Sequence, residues 1–97
     1  MIIVSQDKGK IINFDNMTRV YITFDEGDDD VCIRTETVDS LYEDLGYYKT
    51  EERAKEVLQD ISSRYEAIEL CKREHRVSEI FGYTFADYTP IYEMPKE

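Results

Sequence analysis

Between Thr50 and Cys71, apolar residues fall at Ala54, Val57, Leu58, Ile61, Tyr65, Ile68 and Cys71, three and four positions apart. That spacing is the period of a helix with one apolar face, and acids and bases fill the other positions. A helix of this kind has to bury its stripe, and the residues before it alternate like strands. Strands in a block followed by one helix predict an α+β class rather than alternating βαβ units. The expected architecture is an antiparallel sheet of about five or six short strands packed against the one long amphipathic helix. With 97 residues, the chain is expected to form one domain over 1–97.

The helix carries its own boundary signals. Thr50 is a good N-cap, because its side-chain oxygen can accept from an orphan N–H of the first turn. Glu51 and Glu52 follow, where the helix dipole favours negative charge, and Lys72, Arg73 and Arg76 suit the opposite pole. A helix from Thr50 to Arg76 would be roughly 37 Å long. That is more than a small sheet covers, so its far end is expected to project towards a partner.

Upstream, Ile2 to Ser5 and Ile11 to Phe14 are short apolar runs around Asp7-Lys8-Gly9-Lys10, which predicts a hairpin with Gly9 at positive φ. Asp15-Asn16 is a second turn signal. Thr18 to Phe24 alternates, with Val20, Ile22 and Phe24 on one face and Arg19, Tyr21 and Thr23 on the other. Val31 to Thr37 alternates again, after the polar loop Asp25 to Asp30. Asp39 to Asp44 fits a helical turn or a loop, and Leu45 to Lys49 reads as a strand feeding the helix. Beyond Gly82, Tyr83, Phe85 and Ile91 to Glu93 suggest a last strand at the sheet edge, bracketed by Pro90 and Pro95.

The formal net charge is −10, from 12 basic and 22 acidic residues. Such a surface repels phosphate backbones and anionic lipid, which argues against direct nucleic-acid and membrane partners. It favours a basic protein partner instead. No apolar run approaches the roughly 20 residues of a membrane span. Cys32 and Cys71 lack any CxxC spacing, and His75 is the single histidine, so neither a zinc site nor a disulfide framework is indicated. The expected location is the cytoplasm, with both thiols reduced.

No constellation points to catalysis, and no cofactor is implied. In the loop Asp25 to Asp30, Gly27 comes too early for a calcium loop, and no closing Glu follows at the required distance. Neither cysteine has a local base, the serines lack a GxSxG context, and four glycines supply no phosphate loop. What remains is surface. Asp28, Asp29 and Asp30 form an acidic patch, and Phe81, Tyr83, Phe85 and Tyr88 form an aromatic edge of the type that dominates interface hot spots. These seven residues are the candidate interface.

The segments Val4-Ser5-Gln6-Asp7-Lys8, Asn13-Phe14-Asp15-Asn16, Leu45-Gly46-Tyr47-Tyr48-Lys49-Thr50-Glu51-Glu52-Arg53-Ala54 and Tyr92-Glu93-Met94-Pro95 occur in this order. Together they resemble a group of small uncharacterised proteins of low-GC Gram-positive bacteria and their phages or prophages. The resemblance spans most of the chain but not residues 77 to 90. Its motifs are structural, and it implies a cytoplasmic, phage-linked accessory protein without implying an activity or functional residues.

The expected function is therefore a non-catalytic protein-interaction module, acting on a host protein and forming a homodimer through the helix or the aromatic edge. A different class, a small-molecule binder or minor enzyme with a pocket between sheet and helix, would use tyrosine hydroxyls with Cys71 or His75. A third reading is an acidic DNA mimic.

Overall fold

The computed structural model describes residues 1–25, 29–73 and 91–97, with the backbone alone described for 71–73. Among these residues, six strands and one long helix follow in the order β1 (Ile2–Val4), β2 (Ile11–Asn13), a 3₁₀ turn (Phe14–Asn16), β3 (Met17–Phe24), β4 (Val31–Thr37), β5 (Tyr42–Tyr48), α1 (Glu51–Arg73) and β6 (Ile91–Glu93). The class is α+β, as the pattern predicted. The expectation of one antiparallel sheet is corrected: the strands divide into two three-stranded sheets, ordered β2-β1-β6 and β3-β4-β5. One of the pairings, β1 with β6, is parallel.

The first sheet is built on the shortest strands. Ile3 stands opposite both Ile12 and Tyr92, so one row of three side chains crosses the sheet. All three are buried, and they form the part of the core that this sheet contributes together with Met1 and Met94. The turn from β1 to β2 is held by side chains. Ser5 Oγ donates to Asp7 Oδ1 at 2.7 Å and accepts from the Lys10 N–H at 3.0 Å, while the Gly9 N–H donates to Asp7 Oδ1 at 2.8 Å. The left-handed residue is Lys8, with φ 64°, and not the expected Gly9. The aspartate accepts two hydrogen bonds in this turn, which offsets the modest cost of a non-glycine residue in that region.

The second sheet is a meander with a clear inside and outside. Val31, Ile33 and Thr35 of β4 are buried on the helix side, as their alternation predicted. Val20 and Ile22 of β3 pack against the same core, but Phe24, expected on that face, is 63% exposed. The β4–β5 connection is a tight hairpin in which the Thr37 N–H donates to the Leu41 carbonyl at 2.8 Å and Ser40 takes φ 63°. The Asp39 to Asp44 segment is thus a turn followed by the start of β5, rather than a helical turn. In β5, Ile33 of β4 faces Gly46 while Arg34 faces Asp44, so Leu45 is an additional residue on its strand. This bulge shifts the alternation by one position.

Helix α1 starts as its sequence signals predict, with the Arg53 N–H donating to Thr50 Oγ1 at 3.1 Å. Ala54, Val57, Ile61 and Ile68 are buried, and Phe14 meets Tyr65 edge-on, with ring centroids 5.5 Å apart. The helix stripe as far as Ile68 belongs to one buried cluster with residues of both sheets. Beyond it, the far end that was expected to project towards a partner carries the exposed Leu70. Residues 74–76, where the helix was expected to end, and the strand expected at Tyr83 and Phe85 lie outside the described residues.

Two further links join the sheets. Tyr48, fully buried, donates its hydroxyl to the Pro95 carbonyl at 2.8 Å. Gln6 extends beyond β1 and its N–H donates to the Leu45 carbonyl at 2.8 Å. Its side-chain amide then donates to the Tyr47 carbonyl at 2.8 Å and accepts from the Tyr47 N–H at 2.7 Å. A single glutamine thus pairs with β5 on the edge that β4 leaves open.

Candidate functional site

The face of the second sheet turned away from α1 is a lattice of polar and aromatic side chains. The register sets its rows: Thr23, Cys32 and Tyr47; then Tyr21, Arg34 and Asp44; then Arg19, Glu36 and Tyr42. Strict alternation along β5 would put Asp44 and Tyr47 on opposite faces, because they are three positions apart. The Leu45 bulge puts them on the same one.

Arg34 is the centre of this lattice. Its Nε donates to Asp44 Oδ1 at 2.5 Å, and its terminal nitrogen reaches Asp25 Oδ1 and Oδ2 at 3.2 and 3.3 Å. Tyr47 donates its hydroxyl to Asp44 Oδ2 at 2.7 Å. The guanidinium also lies 4.4 Å from the centre of the Tyr42 ring, and Arg19 lies 4.3 Å from that of Tyr21. Arg19 is further tied to Glu36 at 2.6 Å. The Arg34 contacts are partly buried and charge-assisted, and such contacts are stronger than exposed surface ion pairs like that of Arg19.

The electrostatics follow from the geometry. The Arg34 guanidinium, followed by the Tyr47 hydroxyl, holds the Asp44 carboxyl below its usual range, against the opposing effect of burial. The hydrogen bond to Asp44 pushes the Tyr47 hydroxyl up, so it stays a donor. Cys32, fully buried beneath them, has its thiol pushed up to about 11, mainly by burial and then by the Asp44 charge. A thiol protonated throughout the neutral range is a poor nucleophile.

Asp25, Cys32 and Asp44 each bring a possible ligand atom within 4.8 Å of the others. Arg34 already supplies the cationic charge between the two carboxylates, and the thiol is held in its protonated form. A divalent ion would have to displace the guanidinium and ionise Cys32. The arrangement acts as a clamp that fixes the β3–β4–β5 surface and orients its rings. No reacting pair of base and nucleophile is assembled in it.

Of the candidate interface residues, Asp29 is exposed and Asp30 is half-buried at the entrance to β4. Asp30 has an interaction partner and is not a free charge. Asp28, Phe81, Tyr83, Phe85 and Tyr88 lie outside the described residues, as do His75 and the side chain of Cys71. The structure draws attention instead to the hairpin between β4 and β5. Val38, Leu41 and Tyr42 are 79, 68 and 59% exposed there. Leu41 and Tyr42 were expected in a helical turn or a loop and not at a contact surface, and Val38 had only its apolar character in a polar turn as a signal.

Comparison of the chain with protein-family models, with curated proteins and with solved structures gave no match. No helix among the described residues is long and apolar enough to cross a membrane.

Proposed function

We propose that this protein is a non-catalytic interaction module, and that the β4–β5 hairpin end is its contact surface for another protein. The observation that carries the reading is the exposure of Val38, Leu41 and Tyr42 together around one tight turn. A turn with no partner is ordinarily polar, whereas clustered exposed apolar side chains mark contact sites. Tyr42 is stacked on Arg34, which is itself clamped by Asp44, so the ring is held in place before binding. Such preorganisation lowers the entropic cost of association. Asp39 flanks the apolar residues and is exposed, as is Glu43, which Lys10 meets at 2.9 Å. A fitting partner has an apolar socket rimmed by basic side chains. The resemblance to phage- and prophage-linked proteins suggests that this partner belongs to a bacterial host.

The test compares the wild-type protein with a Val38→Ser, Leu41→Ser, Tyr42→Ser variant as bait in bacterial lysate treated with nuclease. A species retained stoichiometrically by the first and lost from the second, with both baits equally folded by circular dichroism, supports the reading. Identical retention by both baits removes the hairpin end from it.

A further inference from the structure

We draw no further inference here: the strongest candidate, the surface patch of Arg19, Tyr21 and Glu36 on the face of the second sheet turned away from α1, continues the surface proposed above as the contact for another protein, and nothing among the described residues shows what covers it.

Discussion

The side-chain amide of Gln6 pairs with the backbone of Tyr47 as a neighbouring strand would, donating at 2.8 Å and accepting at 2.7 Å. One side chain thus satisfies both main-chain groups of a residue on the edge of the second sheet, and it reaches that residue from the end of the first. The same nitrogen also donates to the Lys96 carbonyl at 2.9 Å. Gln6 is a joint between three segments.

Replacing Gln6 with Ala leaves the Tyr47 N–H and carbonyl without these partners in a partly buried setting. We expect a loss of about 1–3 kcal/mol in unfolding free energy. Urea denaturation measures it, and a midpoint equal to that of wild type would show that water replaces the amide at no cost.

Gly46 is the position where this joint comes closest to the sheet. A Cβ there would sit 3.0 Å from Gln6 Cβ and 3.1 Å from the Tyr48 hydroxyl. We expect Gly46→Ala to destabilise by about 1–3 kcal/mol through overpacking. Gln6→Ala should not rescue it, since alanine keeps the Cβ that causes the closest approach. Thermal melts of the two single variants and the double variant decide this.

Asp44 gives the fold an acid dependence. Its carboxyl is held below the usual range chiefly by Arg34, so the folded state favours the ionised form. That contribution is fully present above the unfolded value of about 3.9 and is lost as pH falls through the lower folded value. Asp44→Asn should lower stability at neutral pH and flatten its decline below about pH 4. Denaturation midpoints taken across the acid range test this, and an unchanged acid slope would place the dependence on other carboxylates.

At the alkaline end the sign is reversed. Burial pushes the Cys32 thiol up to about 11 and the Tyr48 hydroxyl up to about 12. Both fold best when protonated, so stability should decline as pH rises from the unfolded thiol value of about 8.5 towards those folded values. Cys32→Ala should remove the earlier part of that decline. If its midpoint falls over the same alkaline range as wild type, Cys32 is not the source.

The helix, its Thr50 cap and the inward row of β4 were legible in the sequence because each rests on local spacing. The division into two sheets was not. It depends on β6 joining β1 from the far side of the helix, and on Gln6 closing the β5 edge, contacts between residues distant in the chain. The polar lattice was hidden for another reason. Asp44 and Tyr47 belong together only because Leu45 is bulged, and a period of two separates them. The glycine expected to turn the first hairpin yielded that role to Lys8, since Asp7 supplies the hydrogen bonds.

The parallel pairing of β1 with β6 bears on how the chain gets to this structure. β3, β4, β5 and α1 follow one another within Met17–Arg73, and neighbouring elements in this stretch can meet without closing a long loop. Ile3 and Tyr92 can meet only when nearly the whole chain has been looped round, and that closure entropy is unrewarded until the contact forms. We therefore expect Tyr92→Ala to accelerate unfolding and leave the refolding rate nearly untouched in stopped-flow measurements, while Ile33→Val slows refolding. The reverse pattern would mean that the chain begins from its distant contacts. On the expected order, the first sheet is the last part to assemble and the first to open.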